Sequence, residues 1–204
     1  RAAGRPVAAP SANPFGYLSP TTAEHVLAQL DGKVDLILDG GPCPVGVEST
    51  VLDLTADVPT VLRPGGLAVE DIEAVVGPVR VAAGPADRPR SPGQLARHYS
   101  PRTPLVLFSD RAYPDPRGRR AGLLLFRRPA RIPEGFAAVE WLSETGDLRE
   151  AAADLFAALH RLDRAKLDII FAERVPEVGL GRAIMDRLRK AAAPAVDGPG
   201  PLNG

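Results

Sequence analysis

The sequence predicts an α/β chain: a mixed α and β portion, a proline-punctuated linker, and a small Rossmann-like domain built on a parallel sheet. Three observations carry that expectation. In the second half, the apolar runs Leu105 to Phe108, Gly122 to Phe126 and Asp168 to Ala172 alternate with amphipathic segments, as strands and covering helices do. In the first half, helical apolar spacing is interleaved with short strand-like runs. Between the halves, Pro78, Pro85, Pro89, Pro92, Pro101 and Pro104 interrupt a stretch with almost no sustained apolar period, the composition of an extended connection.

Taken in order, Val7-Ala8-Ala9 is a short apolar run entering the cluster Pro10-Ser11-Ala12-Asn13. Ser19 followed by Pro20 opens a helix, and Thr21 to Glu24 has capping-box spacing. Ala23, Val26, Leu27 and Leu30 then recur at helical intervals until Asp31-Gly32 ends the element. Leu36-Ile37-Leu38 reads as a strand closed by Asp39-Gly40-Gly41, Ser49 to Leu54 alternates as a strand, and Thr60 to Leu62 makes another. Val69 to Val76 is a short helix. Further on, Asp147 to Leu162 aligns Ala151, Leu155, Ala158, Leu159 and Leu162 on one face, and Gly181 to Ala191 carries Ile184, Met185 and Leu188. The expected division is 1–78, a linker at 79–103, a second domain at 104–192, and a disordered tail at 193–204. No internal repeat is visible.

Composition narrows the function classes. Of 204 residues, 45% are hydrophobic and 25 basic residues balance 25 acidic ones, so no overall field draws the chain to nucleic acid or membrane. Arginine replaces lysine almost throughout, Lys33, Lys166 and Lys190 being the exceptions, which reads as codon bias. Cys43 is the sole cysteine, which excludes an internal disulfide and fits a reducing compartment, the cytoplasm. No apolar run approaches the about 20 residues that span a bilayer. The opening Arg1-Ala2-Ala3-Gly4, without a Met, reads like the end of a helix, so a preceding segment is expected to be absent.

Four polar clusters concentrate the chemistry: Pro10 to Asn13, Ser19-Pro20-Thr21, Gly46-Val47-Glu48-Ser49-Thr50 and Arg63-Pro64-Gly65. Hydroxyls and freed backbone N–H groups at strand ends cradle phosphate oxygens, and a guanidinium fork neutralises them. Each cluster alone has a plainer account: an Asx turn at Ser11, a helix cap at Ser19, a solvated arginine at Arg63. Their conjunction, with an acid and two hydroxyls beside a glycine turn, favours a ligand site.

Three other groupings carry less. Cys43 with His25 or His98 lacks an orienting third group for thiol chemistry. Gly179-x-Gly181 lacks the third glycine of a dinucleotide fingerprint and reads as a helix start. Arg117 to Arg120 and Arg127-Arg128 lack interleaved aromatics for RNA and read as solvated loop.

In combination, Pro-Ser-Ala-Asn, Ser-Pro-Thr-x-Ala-Glu-His-Val, Asp-Gly-Gly, Gly-Val-Glu-Ser-Thr-Val and Arg-Pro-Gly resemble the YrdC-like domain of threonylcarbamoyl-AMP synthases. Ser91-Pro92-Gly93 with His98-Tyr99-Ser100-Pro101 resembles the interdomain linker of the long, two-domain form. Gly179 to Leu188 resembles the last helix of its C-terminal domain. The resemblance implies the C-terminal part of a twisted, open-sheet YrdC-like domain, then the Rossmann-like one. It implies a nucleotidyltransferase that makes L-threonylcarbamoyladenylate from L-threonine, bicarbonate and ATP, releases pyrophosphate, and serves the threonylcarbamoyladenosine modification of tRNA. It implies Mg²⁺ sharing the triphosphate charge and other proteins of the tRNA pathway as partners, and leaves direct tRNA binding open.

By the same resemblance, Ser11, Ser19, Arg63 and Tyr99 contact ATP, Ser49 and the backbone of Ala9 meet threonine, and Asn13, Glu48 and Thr50 support these turns. Tyr99 would close over the nucleotide as part of a lid. No side chain is an obvious general base, and no residue is a metal ligand. Two departures stand out: Phe15-Gly16 where the family has Ser-Gly, and Gln94-Leu95-Ala96 where its linker carries a Met and an aromatic-basic pair. The family's basic Lys/Arg motif falls before residue 1, so the 204-residue piece alone is expected to be inactive or nearly so. The alternative is a non-catalytic module for nucleotide or double-stranded RNA on the same scaffold.

Overall fold

The computed structural model describes residues 4–82, 91, 98–109 and 112–193; the expected tail beyond 193, the opening at Arg1 and most of the Ser91 to Ala96 stretch lie outside them. The first half is a small three-stranded sheet with two helices. Helix α1 (Ala23–Leu30) precedes strands β1 (Val51–Asp53) and β2 (Thr60–Arg63), helix α2 (Val69–Val76) and strand β3 (Arg80–Val81). The order is β1-β2-β3, with β1 antiparallel to β2 and β3 parallel to it. Helix α2 lays Val69 and Ile72 on Val61. Strand β3 extends this sheet into a segment whose composition reads as linker.

The second half is a four-stranded, all-parallel sheet in the order β4-β7-β5-β6. Its strands are β4 (Leu105–Phe108), β5 (Ala121–Arg127), β6 (Ala138–Ser143) and β7 (Ile169–Glu173). Helices α3 (Leu148–Arg164) and α4 (Gly181–Ala192) cover one face. Asp147 caps α3 by accepting from the backbone N–H groups of Arg149 and Glu150, as its place before an apolar repeat predicts. The far face packs Leu123, Leu125 and Phe171 against Phe136 and Trp141. The helices are sandwiched rather than surface-lying, because Leu18, Val47 and Tyr99 of the first half join the same core as Phe156, Leu159, Ile184 and Met185. That shared core is what holds the first half's turns against α3 and α4.

Three sequence expectations are corrected, and one strand was missed. Leu36 to Leu38 forms no strand: no described backbone pairs with it, and Leu36 and Leu38 are 74% and 87% exposed. A strand is a pairing, not a composition. Ser49 to Leu54 pairs only over Val51–Asp53, since the Ser49 carbonyl accepts from the Arg63 side chain instead of a ladder. The first helix is capped by Thr22, whose hydroxyl accepts from the His25 N–H at 3.3 Å, so Thr21 and Glu24 are not its capping box. Strand β6 was not legible; it is an edge strand of mostly half-buried residues, with Glu140 within an otherwise apolar run.

A histidine pair marks the seam between the halves. His25 of α1 and His160 of α3 stack with ring centroids 4.0 Å apart, and His160 Nε2 donates to the Ser19 carbonyl at 3.2 Å. Burial, with the neighbouring His25, pushes the His160 imidazole down to about 4, and burial lowers His25 as well. Protons bind the unfolded imidazole near pH 6.5 but the folded one only near 4, so the unfolded state binds more protons between those values. Stability therefore falls as pH drops through that window, by at most about 3 kcal/mol from His160. Urea unfolding between pH 4 and pH 8 is expected to show this loss, and His160→Gln to flatten it; an unchanged slope in the variant would refute the assignment.

Candidate functional site

Turns of the first half, between Ser11 and Glu48, enclose a cavity of about 360 Å³ at the N-terminal end of α1. Its walls include Ser11, Ser19, Thr21, Asp39, Gly46 and Glu48, with Val26, Ile37 and Leu38 as the apolar side. Ser19 Oγ donates to Glu48 Oε1 at 2.7 Å, joining two of the predicted clusters directly. Gly46 lets the second of them approach α3. At φ 74° it lies against the Ala152 carbonyl and Ala153 backbone, where any Cβ would overlap.

Glu48 is the electrostatic centre. Burial would push its carboxyl up, but the Arg187 charge and hydrogen bonds from Ser19, its own backbone and Arg187 bring it below the usual carboxylate range. It is therefore an anion at neutral pH. Arg187 Nε donates to Glu48 Oε2 at 2.9 Å, and Nη2 stands 2.8 Å from the same oxygen as an ion-pair contact.

The fourth cluster lies against the third. Arg63 Nε and Nη2 donate to the Ser49 carbonyl at 3.1 and 2.9 Å, and Nη2 lies 3.3 Å from Ser49 Oγ. Gly65 sits against the Glu48 to Thr50 backbone with no room for a side chain, and the Gly66 N–H donates to the Glu48 carbonyl at 2.9 Å. Thr50 Oγ1 donates to the Leu67 carbonyl at 2.6 Å, closing the same loop pair.

The predicted residues thus divide. Ser11, Ser19 and Glu48 share the first cavity. Ser49 and Thr50 line a second, largely apolar one of about 530 Å³ with Val45, Leu52, Gly66, Leu67 and Ile72. Arg63 bridges to that wall through Ser49. Asn13 folds its own turn, Nδ2 donating to the Pro14 carbonyl at 3.0 Å. Ala9 is exposed just before the first cluster.

Tyr99 is seated rather than swung out. It is buried at φ 59°, its ring 5.6 Å from Phe156, and the Arg187 guanidinium carbon stands 5.1 Å over its face. The Ser100 N–H donates to the Gly16 carbonyl at 2.9 Å, tying this segment to the first cluster's turn. Burial holds the Tyr99 phenol above its ordinary range.

Sequence reasoning passed over Arg187. The available signal was its position on the buried face of α4, between Ile184 and Leu188 on one side and Ala191 on the other, where an arginine needs a partner. The weaker groupings dissolve. Cys43 is exposed, and the His25 ring is committed to the Thr21 N–H at 3.2 Å and to the His160 stack. Among the described residues no group of three His, Cys, Asp or Glu could hold a metal ion, and no helix is long and apolar enough to cross a membrane.

Comparison with known proteins agrees with this architecture. Two family models match, "Threonylcarbamoyl-AMP synthase, C-terminal domain" over residues 67–193 and "Telomere recombination" over residues 1–65. The threonylcarbamoyl-AMP synthase of Bacillus subtilis is 44% identical over 94% of this chain and 58% of its own length. That of Pyrococcus abyssi is 41% identical over 92% of this chain, again 58% of its own length. The crystal structure of P. abyssi Sua5 complexed with L-threonine superposes with a TM-score of 0.78 at 39% identity, covering 90% of this chain and 56% of that one. The chain therefore spans somewhat more than half the length of the relatives it matches. With a family model covering residues 67–193, the chain belongs to the threonylcarbamoyl-AMP synthase family.

Proposed function

We propose that the chain is the larger part of an enzyme that makes L-threonylcarbamoyladenylate from L-threonine, bicarbonate and ATP, releasing pyrophosphate. The observation that carries this reading is the Ser19–Glu48 contact at 2.7 Å in the wall of a 360 Å³ cavity that Ser11 also lines, beside the Arg63–Ser49 contact. In the proposed reaction the carboxylate of N-carboxy-threonine attacks the α-phosphorus of ATP, and the bond to pyrophosphate breaks. Such a displacement needs positioning and charge stabilisation more than a proton acceptor, and a site shielded from water protects the carbamate.

Ser11, Ser19, Arg63 and Tyr99 are the proposed nucleotide contacts, Ser49 and Ala9 the threonine contacts, with Asn13, Glu48 and Thr50 supporting them. Mg²⁺ suits this arrangement as the counter-ion of the triphosphate, because the cavity's carboxylates are Asp39 and an already engaged Glu48. The proposed setting is the cytoplasm, and the proposed partners are other proteins of tRNA modification. Residues 1–78 and 104–192 are the proposed domains.

The test is pyrophosphate release by the full-length protein. Release that requires both threonine and bicarbonate is expected, and Arg63→Ala is expected to weaken ATP binding about tenfold, the scale of one charge-assisted contact. ATP binding without threonine-dependent release would favour the non-catalytic module instead.

A further inference from the structure

We propose that Arg187, on the last helix, is a positioning residue of the nucleotide site, and that supplying it is the work of the second domain in the reaction; this rests on the function proposed above. A fully buried guanidinium is costly, and burial is tolerated only where charge and hydrogen bonds replace water. Arg187 is 0% exposed, and most of its contacts lie outside its own helix. Nε donates to Glu48 Oε2 at 2.9 Å with Nη2 in ion-pair contact with that oxygen, Nη1 donates to the Pro64 carbonyl at 2.6 Å, and the cation faces the Tyr99 ring. Asp186, 2.8 Å from Nη1, is its only partner on α4.

Those three remote partners are parts of the site. Glu48 holds Ser19 in place through its other oxygen. Pro64 is the centre of the Arg63-Pro64-Gly65 turn, so fixing its carbonyl fixes the backbone from which Arg63 reaches Ser49. Tyr99 is pinned between Arg187 and Phe156. One side chain thus sets the acid, the arginine turn and the linker tyrosine relative to one another, although these are far apart in sequence. Lysine cannot reproduce this, since an ammonium is a point charge without a planar fork.

The helix itself is held in place independently. Arg182 pairs with Glu70 of α2, and the Gly179 N–H donates to Glu70 at 3.3 Å. Within the helix, Lys190 pairs with Asp186 at 2.6 Å, beside Arg187. Losing the Arg187 head group therefore leaves α4 docked while releasing the site.

A role confined to folding makes a different forecast. Buried ion pairs are often replaceable by apolar residues without loss of stability, whereas removing one partner strands a charge. The experiment uses full-length protein as wild type, Arg187→Met, Arg187→Lys and the double variant Arg187→Met with Glu48→Gln. ATP affinity is read by calorimetry with a non-hydrolysable analogue, turnover by threonine-dependent pyrophosphate release, and stability by urea unfolding. The double variant is expected to recover wild-type stability yet bind the analogue at least tenfold more weakly, and Arg187→Lys to fall short of wild type in affinity. Wild-type affinity and turnover in the stably folded double variant would overturn the proposal while leaving the proposed function intact. A wild-type protein that binds no ATP analogue would overturn both.

Discussion

Gly65→Ala is expected to damage the site and the fold together, with stability falling by about 3 kcal/mol, the upper end of overpacking costs. Its Cβ would overlap the Glu48 carbonyl oxygen and the Ser49 and Thr50 backbone, and backbone cannot rotate away as a side-chain tip can. The loop pair would have to separate, stretching the Gly66 N–H to Glu48 contact at 2.9 Å and the Arg63 contacts to Ser49. Urea unfolding and analogue binding on the full-length variant measure both consequences. Unchanged stability would mean that the two loops are not in contact as described.

Phe156→Ala is expected to cost about 3–5 kcal/mol, the range for deleting a buried aromatic ring. Phe156 is 0% exposed in the core shared by both halves, with Tyr99 on one side of it. The cavity would therefore loosen the seating of Tyr99 as well as the α3 packing. Unfolding followed by fluorescence of Trp141, the single tryptophan of these 204 residues, reports the stability loss. A cost below about 1 kcal/mol would place this ring outside a close-packed core. Phe156→Leu, which refills most of the volume, is expected to lose less.

Much of the fold was legible because its signals are local. Val69 to Val76 emerged as read, and the runs at Leu105 to Phe108 and Gly122 to Phe126 became β4 and most of β5. These are segments where apolar pattern and length agree. Leu36 to Leu38 shows the opposite case. Its apolar composition fits a strand, but hydrogen-bonded pairing is supplied by another stretch of chain, and no described residue supplies it. The site followed the same rule. The hydroxyl and arginine clusters stood out one by one, yet the charge that organises them did not.

By itself the sequence determined where most helices and strands begin and end, which turns carry hydroxyls and arginines, and which family those motifs resemble. These properties depend on neighbours within a few residues, through periodicity, capping and turn chemistry. Only the tertiary structure decided that Ser19, Glu48 and Arg187 form one hydrogen-bonded chain across 168 positions, from 19 to 187, and that Tyr99 lies beneath that arginine. The physical reason is that a buried charge takes whatever partner the packing of distant elements brings within about 3 Å, and that choice leaves no periodic trace along the chain.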